Sequence, residues 1–212
     1  MSGISSWFTV WVKPRTVVRQ FLDSSNPTKN MIVISMAAGA LTSLDQASSR
    51  SVGDQMPLFL ILLLALVVGS LGGIVALYLG SALLTWVGGW LGGDGEHEEL
   101  RVALTRGVNI PTIILGMIWV PQLLLFGVEM FMEQTPRIEN SVLLTMLLLL
   151  FAFIEIILGI WIFVISLMAI GEAHGFSAWK ALGTMLIALV LAMIVLGIFF
   201  LLFGSLLIAP FL

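Results

Sequence analysis

No charged residue stands between Gln55 and Gly93, and residues 107–128, 140–171 and 181–212 repeat that pattern with one exception, Glu155. About 20 residues of helix cross about 30 Å of hydrocarbon, so each run is long enough to span a bilayer. No water is available there for backbone N–H and C=O groups, so such a run closes its hydrogen bonds within itself, as helix. Composition agrees. The chain is 59% hydrophobic and 10% charged, whereas soluble domains carry about 25% charge. The expected fold class is all-α: a polytopic membrane protein whose first partner is the lipid bilayer.

The number of crossings turns on residues 30–47. Residues 30–44 carry no charge, but Ser35, Gly39, Thr42 and Ser43 dilute their hydrophobicity, and spanning length requires the helix to continue through Ala47. The alternative is a re-entrant or interfacial segment, which leaves four crossings. Five crossings put Lys13, Arg15, Arg19, Lys29, Arg101, Arg106 and Lys180 on one side and only Arg50 and Arg137 on the other. Four crossings give a weaker asymmetry, and Lys and Arg concentrate on the cytoplasmic side. The expectation is five spans, at about 30–47, 57–88, 107–131, 141–170 and 180–209. The N-terminus is then cytoplasmic and the C-terminus outside. Trp86, Trp90 and Trp179 fall near the cytoplasmic interface, where indole rings settle.

Residues 1–29 form a separate arm. Ile4, Trp7, Phe8, Trp11 and Val12 recur at the spacing of one helix face. Lys13-Pro14 interrupts the run, and Pro14 suits the first turn of a new helix. Val17, Val18, Phe21 and Leu22 then share one side of that helix, with Arg15 and Arg19 on the other. The pattern predicts an amphipathic helix lying in the headgroup layer; the alternative is an arm packed on the bundle. A continuous apolar core and a small-residue cleavage site are both missing, so no cleavable signal peptide is expected.

Several function classes drop out. The absence of cysteine removes disulfides, thiolate metal sites and cysteine nucleophiles. A net charge of −3 offers no electrostatic footprint for nucleic acid. Hydrolase elbow, phosphate loop, zinc-protease helix and dinucleotide fingerprint are all missing. The remaining candidates are few. Glu155 lies at bilayer depth, where an acid must pair, face a wet cavity or take up a proton. Its expected partner is a hydrogen bond from Ser70, near the middle of the second span, or from loosened backbone there. It is then either an ion or proton site or a protonated acid that holds two helices together. Gly69, Gly73, Ala76 and Gly80 share one face of that span and form a seam for close helix approach, within the chain or between copies of it. In the cytoplasmic loops, His97, Glu172 and His174 are weak candidates for a divalent metal, because their spacing matches no ligand code. No metal or other cofactor is expected.

Three stretches taken in order carry a resemblance. They are Trp11-Val12-Lys13-Pro14-Arg15 with Val17, Val18 and Arg19; then Leu77-Tyr78, Gly92-Gly93-Asp94-Gly95, Glu99 to Ala103 and Asn109-Ile110-Pro111; and finally Ile170-Gly171-Glu172-Ala173-His174-Gly175-Phe176-Ser177 with Lys180-Ala181-Leu182. Together they resemble the Yip family of Ypt/Rab-interacting membrane proteins, with Pro14, Arg15, Gly92, Gly93, Pro111, Glu172, His174 and Gly175 as the motif residues. The resemblance implies five spans, a cytoplasmic N-terminus and no catalysis. Eukaryotic members act in Golgi and vesicle traffic and bind Rab GTPases. Their longer N-terminal region and its Tyr-Gly-Pro motif are missing here, so a Rab partner does not carry over. The short form resembles the prokaryotic branch, which implies a bacterial cytoplasmic membrane. The leading expectation is a non-enzymatic protein that organises or recruits membrane-protein partners at the cytoplasmic face. The runner-up is an ion, proton or lipid conduit using Glu155, and a metal-dependent membrane enzyme comes third.

Overall fold

A computed structural model describes residues 3–208, with side chains described for residues 6–202. Every regular element among them is helical. The arm forms α1 (Gly3–Thr9) and α2 (Pro14–Leu22), and α3 follows at Met31–Ser49. Among the described residues, four helices are long and apolar enough to cross a membrane: α4 (Leu58–Trp90), α5 (His97–Phe131), α6 (Val142–Ala173) and α7 (Ala178–Ile208). These overlap the last four expected spans, with α5 beginning ten residues before the expected start at 107, and α3 lies over the first. The expected end of the last span at residue 209, the C-terminus and the Ile4 side chain lie outside the described residues.

Two long helices widen locally. In α5 a π-turn covers Thr105–Asn109 just before Pro111; proline has no N–H to give the carbonyl four residues earlier, and the helix adjusts around it. In α4 a π-turn covers Ala65–Gly69, and the Ala65 carbonyl accepts a hydrogen bond from Ser43 Oγ of α3 at 3.3 Å.

The helix α3 runs alongside α5 and antiparallel to α4. Near its start, Arg106 Nη2 of α5 donates to the Lys29 carbonyl at 2.6 Å; near its end, Ser48 Oγ donates to the Met130 carbonyl. Against α4 the approach is backbone to backbone. A Cβ on Gly73 would meet the Ser35 carbonyl and the Gly39 Cα, and one on Gly69 would meet Ser43 and the Gly39 carbonyl. The seam is therefore divided: Gly69 and Gly73 receive α3, while the nearest neighbour of Gly80 is Leu104 of α5.

The best-packed core sits at the end of the bundle that carries the arm. Val18, Leu84, Val87, Leu100, Ala103, Ala169, Ile170 and Ala181 form one buried cluster there. Away from it, α6 and α7 present apolar side chains almost all round, with 6% of each apolar window buried, as helices facing lipid do. Trp86, Trp90 and Trp179 are all exposed near the core end.

The arm departs from the expectation of a helix laid in the headgroup layer. Val17 and Val18 of α2 are buried against the bundle, with Phe21 and Leu22 packed beside them. The apolar face of α2 is thus spent on protein, because α5 and α6 offer it a surface of matching width. Its outward apolar residues come from α1 and the following turn: Phe8 is 68% and Val12 77% exposed.

Candidate functional site

Two turns, each with a positive-φ glycine, meet at the arm end. Gly92 (φ +79°) follows α4 and Gly175 (φ +69°) follows α6, the left-handed conformation that glycine adopts without a Cβ penalty. Asp94 N donates to the His174 carbonyl at 3.3 Å, and the His174 ring stacks on Phe176 with centroids 4.9 Å apart. Gly88, Gly93 and Gly95 wrap that ring so closely that a Cβ on any of them would collide with it. His174 Nε2 lies 3.2 Å from the Leu84 carbonyl. The two turns form one clasp, with the imidazole as its filling.

The arm is tied to the same clasp. Glu172, with a side chain 15% exposed, accepts from Arg19 Nε at 2.8 Å and pairs with Arg15 Nη1 at 3.3 Å. Pro14 is buried at the start of α2. Lys180 Nζ donates to the Leu91 carbonyl at 3.2 Å, drawing in the start of α7. Glu96 and Glu99 close a reciprocal capping box at the start of α5. Of the motif residues, Pro14, Arg15, Gly92, Gly93, Glu172, His174 and Gly175 therefore come together; Pro111 stands apart, inside α5.

The weak metal candidates do not converge. Glu172 is engaged by two arginines, His174 Nε2 by a carbonyl, and His97 is exposed at the first residue of α5. No three His, Cys, Asp or Glu side chains come close enough to hold a metal ion among the described residues.

Burial lowers the pKa of His174 from the ordinary histidine value, and the Leu84 carbonyl, Glu99 and Asp94 only partly oppose it. A group held below its unfolded value adds stability that is present above the unfolded pKa and lost as pH falls through the folded one. Acidification from about pH 7 to about pH 5 should therefore destabilise the protein. A His174→Gln variant, which keeps a polar side chain without the titration, should show a flatter dependence of melting temperature on pH. Identical slopes would remove His174 from the account.

Within the bilayer, Glu155 has a different partner from the one expected. Gln122 Nε2 of α5 donates to Glu155 Oε1 at 2.7 Å, while Ser70 is buried on α4. Glu155 shares a cavity of about 370 Å³ with Asp45 of α3, whose carboxylate accepts from Trp119 Nε1 at 2.8 Å. Asp45 and Gln122 were not foreseen. Gln122 follows Pro121 in an otherwise apolar run, and that was its only signal. A second cavity of about 590 Å³ on the α4 side of α3 shares Thr112 with the first and reaches Asn109, which donates to Ser35 Oγ at 2.8 Å.

A family model described as the Yip1 domain matches residues 8–201. No curated protein and no solved structure matches. The matched stretch takes in the α2 arm, the clasp and the four long apolar helices, α7 as far as residue 201. This chain is a multi-pass membrane protein that belongs to the Yip family.

Proposed function

We propose that the protein is a non-catalytic organiser that recruits membrane-protein partners at the cytoplasmic face of a bacterial cytoplasmic membrane. The observation that carries this reading is the clasp. Glu172, His174 and Lys180 lock the arm and two loops into one preorganised surface, and preorganisation removes part of the ordering cost of binding. Five crossings, with the N-terminus inside and the C-terminus outside, go with it. The distribution of basic residues supports that layout: seven of the nine then lie inside. So does the length of α3, whose 19 residues cover about 28 Å and keep pace with α5 from Arg106 to Met130. Its modest hydropathy fits a helix that packs against protein on two sides.

The chain has no cysteine, so single introduced ones report unambiguously. Ser24→Cys and Ser49→Cys should label from opposite sides of the membrane; labelling from one side would restore four crossings. Crosslinking from Glu98→Cys and Ser177→Cys in native membranes should capture a reproducible partner, and Glu172→Ala should weaken the capture. Random neighbours, or a capture indifferent to Glu172, would defeat the recruiting role.

A conduit is the second reading. It is favoured by the run of polar groups around α3, from Ser48 and Asp45 through Gln122, Glu155 and Thr112 to Asn109 and Ser35. Glu155→Gln should then abolish cation flux into liposomes. Absence of flux in the wild-type protein would end this reading.

A further inference from the structure

Among the described residues, Arg106 is the one buried side chain of the Lys, Arg, Asp and Glu class. It is 4% exposed, no acidic side chain pairs with it among the described residues, and its Nε has no hydrogen-bond partner. Its contacts are the Lys29 carbonyl, at 2.6 Å from Nη2, and the face of Phe21, whose centroid lies 3.8 Å from Cζ. A buried cation without an anion is expensive. A guanidinium, unlike a carboxylic acid, cannot become neutral at ordinary pH to escape that cost.

The surroundings supply what an anion would need. Arg106 and Lys29 line one cavity of about 460 Å³, and no acidic residue lines it. The start of α3 stands at the same place: Asn30 adopts a left-handed conformation (φ 59°) and gives the helix no side-chain cap. Met31 N donates to the Thr28 carbonyl and Ile34 N to the Asn30 carbonyl, and no acidic side chain caps the partial positive charge of that helix end. The remaining wall is apolar, with Val33 and Ala37 of α3 facing Ile113 of α5. A basic head above an apolar trough has the shape of an amphiphile.

We propose that this cavity binds one anionic phospholipid of the leaflet on the arm side, with its phosphate between Arg106 and Lys29 and an acyl chain along Val33 and Ala37. The trough favours a lipid over free phosphate. The site goes beyond the recruiting role and stands whether or not that role holds. It also couples lipid to the arm, because Phe21 of α2 forms one face of the Arg106 pocket.

The test is native mass spectrometry of the full chain in detergent, with phosphatidylglycerol, phosphatidylcholine of the same acyl chains, and inorganic phosphate alone. Wild-type protein should retain phosphatidylglycerol about tenfold better than phosphatidylcholine and show no saturable retention of inorganic phosphate. Arg106→Gln should erase the preference and Lys29→Gln should weaken it, while Arg137→Gln should leave it intact. Lys29 is exposed, so that variant decides the matter if Arg106→Gln fails to fold. Equal retention of the two lipids, a preference that survives Lys29→Gln unchanged, or inorganic phosphate displacing the lipid would each overturn the proposal.

Discussion

Gly73→Val should be among the most damaging single substitutions in this protein, costing about 3 kcal/mol or more. The first atom of any side chain at Gly73 lands on the Ser35 carbonyl and the Gly39 Cα. Neither can rotate away, because both belong to the backbone of α3. The helices must separate, and the Ser43–Ala65 hydrogen bond goes with them. In lipid no hydrophobic force compensates, since apolar tails surround the helix in either state and packing alone holds it. Gly72→Val is the control. A Cβ there meets nothing within 4 Å, and glycine is a poor helix former, so this neighbour should be neutral or stabilising. Thermal stability in a mild detergent checks both, and equal losses would mean that the α3–α4 contact is not close.

The second large effect is expected at the arm. Glu172→Ala leaves Arg15 and Arg19 without their shared acid and should loosen α2 by about 1–2 kcal/mol. That falls short of the fully buried limit, because both arginines are about half exposed and solvent screens them. A loss of that size opens the arm roughly tenfold more often. Trypsin, which cuts after Arg15 and Arg19, should then clip α2 roughly tenfold faster, while cleavage after Arg137 on the far loop stays constant. Glu172→Gln keeps an acceptor and should fall between. High salt should narrow the difference. Unchanged clipping would show that Val17 and Val18 hold the arm without help from the ion pairs.

The four long apolar helices were legible because one physical requirement dominates them: a backbone in hydrocarbon must be helical, and its side chains apolar. Boundaries at Leu58, Trp90, Val142 and Ala173 follow from where charge and glycine turns resume. The arm was legible as amphipathic, yet its burial was not, because an apolar stripe looks the same whether lipid or protein covers it. The polar sites were the least legible. Asp45 and Trp119 are far apart in the chain, as are Gln122 and Glu155, and nothing in either local sequence names its partner. Glu155 could be singled out as costly, but whether Ser70 or Gln122 met it depended on how α4, α5 and α6 rotate about their axes.

Hydropathy and the turn residues between the apolar runs determined that this is a membrane protein and where its long apolar helices lie. Those signals are additive along the chain, so order alone carries them. The tertiary structure decided which polar groups meet: the arginines of α2 on Glu172, His174 inside a ring of glycines, and Arg106 in a cavity that no acidic residue lines. Those pairings depend on how each helix is rotated and how closely it approaches its neighbours, and only packing sets either.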